Sequence, residues 1–171
     1  DRPEDLYAEA IGNNRIEGHR HTYGWANFQK VYFVIEFSKP FDKFEPIGED
    51  NYYYRLHFKT TEGEQIGVKV ALSSTSIEGA RLNFDTEVAN AEFDATAKLA
   101  EKKWNDEISK IRIYGATEEQ EEIFYTGMYH MYVAPSLFSD VDGTYRGADQ
   151  QIHQNPGHDT YTTFSLWDTY R

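Results

Sequence analysis

The sequence predicts a multi-domain fold: strands of a β-sandwich, then a long bridging helix, then a helix of a helical barrel or bundle. Three observations predict it. Runs with period-two alternation crowd the first part of the chain. A run with apolar residues at three- and four-residue steps follows them. A second helical stretch then opens on a capping box and is apolar on more than one side.

Residues 1–27 are polar and read as a weak strand and loops. His19 and His21 are two apart, so in a strand both rings share one face. The sequence around them offers no third ligand, and a metal site is not expected there. Phe28 to Phe37 is a clear strand: Val31, Phe33, Ile35 and Phe37 take one face, Tyr32, Val34 and Glu36 the other. Lys39-Pro40 ends it, because proline has no N–H to give a ladder. Tyr52 to Lys59 alternates in the same way, Glu62-Gly63 turns the chain, and Ile66 to Leu72 alternates again. These alternating strands are expected to form one sheet of an antiparallel sandwich.

From Ser76 the alternation fails. Phe93, Ala97, Ala100, Trp104 and Ile108 then mark one face of a helix over residues 91–110, with Lys98, Glu101, Lys102 and Lys103 on its wet side. Ile111 to Ile113 reads as a brief extended piece. Thr117-Glu118-Glu119-Gln120 is a capping box, and its two glutamates suit the positive end of the helix dipole. The helix behind it carries Ile123, Phe124, Gly127, Met128 and Met131 on one side, widened by Tyr125, Tyr129 and Tyr132, and Pro135 stops it.

The chain has 171 residues, 39% hydrophobic and 16% aromatic, enough for a core with rings left over. Its formal net charge is −12, which disfavours nucleic-acid phosphates and anionic membranes as partners. There is no cysteine, so neither a disulfide nor a thiolate metal site is possible. No apolar run reaches the length of a membrane span. The chain begins without methionine and stops within a motif, so it is expected to be a piece of a longer polypeptide.

The chemistry concentrates in Ser136 to Arg171. Asp140, Asp142, Asp149, Asp159 and Asp168 are threaded through Phe138, Tyr145, Tyr161, Phe164, Trp167 and Tyr170, with Arg146 and Arg171 as the cations. Rings stack on sugar C–H faces, and carboxylates accept strongly from sugar hydroxyls, so the pattern suits a neutral polyhydroxylated ligand. Asp-Val-Asp-Gly is equally ordinary turn chemistry. The opening Asp140-x-Asp142-Gly143 looks like a calcium loop, but Gln151 stands where an EF-hand has its closing glutamate. Glycoside hydrolysis needs two carboxyl groups, and nothing in this spacing singles out an acid and a base.

Taken together, the motifs resemble glycoside hydrolase family 92, the calcium-dependent exo-acting α-mannosidases. The similar stretches include Gln29-Lys-Val-Tyr-Phe33, Glu36-Phe-Ser-Lys-Pro-Phe41, Val68-Lys-Val-Ala71 and Phe124-Tyr-Thr-Gly-Met-Tyr-His130. The most specific are Phe138-Ser-Asp-Val-Asp-Gly-Thr-Tyr-Arg-Gly147 and Thr163-Phe-Ser-Leu-Trp-Asp-Thr-Tyr170.

The resemblance implies an N-terminal β-sandwich, of which residues 1–85 are the later part, a linker helix with a short extended segment over 86–115, and an (α/α)6 barrel, of which 116–171 are only the start. It implies removal of terminal mannose from mannose-containing glycans with inversion, assisted by calcium. The general acid, the base and most calcium ligands are expected in the remainder of the barrel, so this chain carries no catalytic residue and is expected to be inactive alone. Trp167 and Asp168 match the family's Trp-Asp element and are expected to bind substrate, Asp168 accepting from the mannose O4 and O6 hydroxyls. Asp140, Asp142 and Arg146 are expected either to line the pocket or to brace the loop. Export from the cell is the usual habit of glycan-degrading relatives. The alternative is a non-catalytic carbohydrate-binding sandwich, against which the density of motif residues in the helical tail argues.

Overall fold

The computed structural model describes residues 2–24, 28–48, 52–155 and 157–163. Among them, those of 1–90 and 139–159 form one compact unit, and those of 91–138 with 160–163 a second. The β-rich first part is followed by helices, as the alternation and the helical steps require. The units do not follow chain order, however. Residues 139–159, grouped with the helices on sequence, cluster with the strands.

The first unit opens with strand β1 (Arg2–Ile11), strand β2 (Arg15–Tyr23) and strand β3 (Gln29–Phe37). Residues 2–23 therefore hold a long hairpin where a weak strand and loops were expected. The tip is Gly12, Asn13 and Asn14, with Gly12 at φ +70°, a left-handed conformation that glycine adopts without steric cost. Strand β4 (Lys43–Ile47) and strand β5 (Tyr53–His57) make a separate hairpin, and strand β6 (Val68–Ser73) returns to β3. The sheet order is β1-β2-β3-β6, all antiparallel. Thus the second and third strands read from the sequence do not pair with each other. The β4–β5 hairpin instead joins a ring cluster with the end of β3. Phe37 and Phe58 lie 5.5 Å apart between ring centroids, and Phe44 stacks on Tyr54 at 4.9 Å.

Directly opposed residues in an antiparallel pair share a face. The pairs Glu17↔Val34 and Val34↔Ala71 therefore define one face of the sheet. Helix α1 (Ile77–Asn83) and a π-helical turn (Phe84–Val88) pack on it. Val34, Ala71, Ala80 and Phe84 are the buried core, with Tyr32, Val88 and Ala89 packed against it. Glu17 is 2% exposed on this face and accepts from Arg81 Nε of α1 at 2.8 Å. The Arg15 guanidinium lies 4.6 Å above the Phe84 ring, a cation over the negative face of a ring. On the opposite face, Val68, Val70 and Leu72 are exposed. Gly18 is required where β1, β2 and β3 meet, since an added Cβ would stand 2.0 Å from the Tyr7 carbonyl oxygen and 2.9 Å from the Phe33 ring.

The second unit holds helix α2 (Phe93–Ile108) and helix α3 (Glu118–Tyr132). No extended strand forms at Ile111 to Ile113. The capping box forms in full: Thr117 Oγ1 accepts from Gln120 N, and Gln120 Oε1 accepts from Thr117 N at 2.9 Å. α3 ends at Tyr132, ahead of a cis Ala134–Pro135 bond. Trp104 and Tyr129 bring the two helices together with ring centroids 4.7 Å apart. Only Met128 of α3 is buried; Ile123, Met131 and Tyr132 are exposed. Among the described residues no helix is long and apolar enough to cross a membrane.

Candidate functional site

The acidic loop is held by backbone turns before any long-range contact is counted. Gly143 donates its N–H to the Asp140 carbonyl at 2.9 Å, and Gly143 itself sits at φ +82°. Asp142 Oδ1 accepts from Thr144 N at 2.9 Å, the side-chain turn that Asp makes two residues ahead of its partner. The hydroxyl of Thr144 and then this N–H hold the Asp142 carboxyl below its ordinary range. Strand β7 (Thr144–Arg146) and strand β8 (Ile152–Gln154) close the loop as a short hairpin. Asp149 accepts from His153 Nε2 at 3.0 Å and from Gln151 N at 3.1 Å, and these two bonds, the first larger, lower its pKa.

Asp140 is 5% exposed, and its carboxylate is fully engaged within the first unit. Oδ2 accepts from Ser73 Oγ at 2.7 Å and Thr75 Oγ1 at 2.6 Å; Oδ1 accepts from Asn83 Nδ2 at 2.8 Å. Asn83 Oδ1 in turn accepts from Val141 N at 2.9 Å. The space exists because residue 79 is glycine: a Cβ there would lie 2.6 Å from Asp140 Oδ2. Arg146 directs its guanidinium at backbone carbonyls, Nε to Ser74 at 2.8 Å, Nη1 to Gln150 at 2.9 Å and Nη2 to Thr75 at 3.2 Å. The structure thus places Asp140 and Arg146 against the end of β6 and the start of α1, while Asp142 serves its own turn. Trp167 and Asp168 lie outside the described residues, as does the whole Phe164 to Arg171 stretch.

One cluster was not legible in the sequence. β1 and β2 pair so that Asp5 opposes His21 and Tyr7 opposes His19. The hairpin brings Asp5 beside the two histidines, a carboxylate that sequence proximity did not offer. His19 Nε2 lies 2.9 Å from Asp5 Oδ2 and His21 Nδ1 lies 3.5 Å from the same oxygen. The two imidazoles stack with centroids 4.5 Å apart. Burial, then the neighbouring His19 and Lys30, push His21 below the usual imidazole pKa. In the helical unit an open concavity of about 470 Å³ is lined by Arg112, Tyr114 and Tyr125 among others, and none of Asp140, Asp142 and Arg146 lines it.

Comparison with known proteins agrees over both parts of the chain. Residues 1–73 match the glycosyl hydrolase family 92 N-terminal domain and residues 79–171 the glycosyl hydrolase family 92 catalytic domain. No curated protein matches the chain significantly. Among solved structures, it is similar to the family GH92 α-mannosidase BT3965 from Bacteroides thetaiotaomicron, with 32% identity and TM-score 0.85, covering 96% of this chain and 24% of that one. A complex of that enzyme with mannoimidazole gives 31% identity and TM-score 0.84 with the same coverage. The family GH92 inverting mannosidase BT2199 from the same organism gives 25% identity and TM-score 0.74, over 93% of this chain and 24% of its own. The chain thus spans about a quarter of the length of these structures.

Proposed function

The chain belongs to glycosyl hydrolase family 92, and on that premise we propose that its full-length protein is an exo-acting α-mannosidase that inverts the anomeric centre. The observation that carries the reading is the agreement of both parts of the chain, in order, with the two domains of one family, together with a TM-score of 0.85 to an α-mannosidase. One of the similar structures is an inverting mannosidase and another is bound to mannoimidazole, which supports the substrate class and the stereochemistry. The substrates are then mannose-containing glycans. The exposed apolar residues of α3 suit packing against further helices of an (α/α)6 barrel.

In this reading an inverting glycosidase protonates the leaving oxygen with one carboxylic acid and activates water with a second carboxylate on the far side of the ring. Neither group is assigned to this chain. Trp167 walls the subsite for the terminal sugar, and Asp168 accepts hydrogen bonds from its O4 and O6 hydroxyls. Asp140 and Arg146 brace the loop rather than touch sugar, because their polar atoms are already engaged with Ser73, Thr75, Asn83 and backbone carbonyls. Asp142, held in its own turn, braces as well.

Calcium is proposed for the full-length protein, where it would polarise and orient the sugar. Neither Asp140 nor the His19–His21 pair suits it. Asp140 has spent its oxygens on three side chains, and the His19–His21 pair offers nitrogen where calcium takes oxygen. No step is assigned to the ion here. The test is incubation of the full-length protein with a terminal α-mannoside, before and after chelation. Release of mannose that chelation suppresses and added calcium restores is expected; absence of any release under calcium overturns the reading.

A further inference from the structure

We propose that Asp5, His19 and His21 form a divalent transition-metal site on the β1–β2 hairpin, with zinc as the ion that suits its donors best. Among the described residues this is the group whose chemistry fits a metal: each side chain offers one ligand atom, and these atoms all lie within 4.8 Å of one another. Tetrahedral zinc with nitrogen ligands at about 2.0–2.1 Å holds its donors roughly 3.3 Å apart. The separations of 2.9 Å and 3.5 Å from Asp5 to the two imidazoles bracket that value. The remaining separation, between the two imidazoles, lies within 4.8 Å.

The histidines are positioned before any ion arrives. Tyr32 meets both rings edge-on, at 5.8 Å to His19 and 5.7 Å to His21, and Tyr7 stacks on His19 at 5.8 Å. Ligands locked by packing lose little freedom on binding. His21 turns Nδ1 toward Asp5, and its other nitrogen, Nε2, is buried without a hydrogen-bond partner. Two imidazoles and one carboxylate are a borderline set that prefers zinc, nickel or copper to calcium or magnesium. Asp5 is exposed, so water can complete the shell. β1 is the edge strand of the sheet and pairs only with β2. An ion shared by Asp5 of β1 and both histidines of β2 would pin that edge, and its binding energy would add to the stability of the folded state.

The experiment uses untagged full-length protein stripped with chelator, then titrated with zinc chloride by calorimetry and followed by thermal unfolding. Saturable zinc binding and a raised Tm are expected, with a four-coordinate absorption spectrum on cobalt substitution. His19→Ala and His21→Ala should each weaken this binding by roughly 100-fold and abolish the Tm rise, and Asp5→Asn by about tenfold or more. His153→Ala, at a histidine paired with Asp149, should change neither readout. Should an alanine variant fail to fold, Asp5→Asn at its exposed position still decides the matter. A zinc isotherm and Tm shift that Asp5→Asn and the histidine variants leave untouched would overturn the proposal, as would their absence in the wild type. Mannoside turnover is not among these readouts, so this site and the mannosidase reading fail separately.

Discussion

Asp140 Oδ2 lies 2.7 Å from Ser73 Oγ, across sixty-seven residues of sequence. That bond and its two neighbours attach the acidic loop to the strands, and they explain why residues 139–159 join the first unit. Replacing Asp140 by alanine would leave the Ser73, Thr75 and Asn83 donors buried without their acceptor. We expect Asp140→Ala to lower stability by roughly 3 kcal/mol. Hydrogen exchange should quicken most across 139–159, while the α3 amides keep their protection.

Gly79→Ala attacks the same network from the helix. The new Cβ would stand within 2.7 Å of Asp140 Oδ2, Ser73 Oγ and Thr75 Oγ1. A loss of about 1–3 kcal/mol is expected. Because the two sites share partners, the double variant with Asp140→Ala should cost clearly less than the sum of the singles, measured by denaturant unfolding.

Some of this was legible and some was not. The strand at Phe28 to Phe37 and the cap at Thr117 could be read because period and local spacing define them. β1 and β2 were not, because Asp5, Glu9, Glu17, Arg20 and two histidines interrupt any apolar alternation. The place of β5 was decided by rings from distant parts of the chain, and Asp140 by partners 57 to 67 residues away. The Asp5–His21 pairing depends on hairpin register, which no local pattern records. Trp167 and Asp168, recognised by motif, lie outside the described residues.

Glu17 ties β2 to α1 through Arg81, and it is buried while the arginine is half exposed. Glu17→Gln should cost roughly 2 kcal/mol, less than for a fully buried pair because solvent screens Arg81. The measurement is the midpoint of urea unfolding at constant m-value.

The Asp142 carboxyl is held below its ordinary range by Thr144, so its ionised form stabilises the folded turn. That contribution is present above the unfolded carboxylate pKa and fades as pH falls through the lower folded value. Thr144→Val removes the hydroxyl bond, and the Asp142 pKa should rise toward an ordinary aspartate. Carboxyl-carbon NMR titration reads the shift directly; an unchanged pKa contradicts the assigned cause.

If the full-length protein is the proposed mannosidase, Asp168→Ala should lower its kcat/KM by roughly ten- to a hundredfold, the equivalent of about 1.5–3 kcal/mol of lost charged acceptor. A wild-type kcat/KM would remove Asp168 from the sugar subsite.

The most direct measurement on the whole account is proton NMR of the first sugar released when the full-length protein meets an α-mannoside. The account predicts that β-mannose appears first and then mutarotates. First-formed α-mannose, or no mannose from any α-linked substrate, would contradict it.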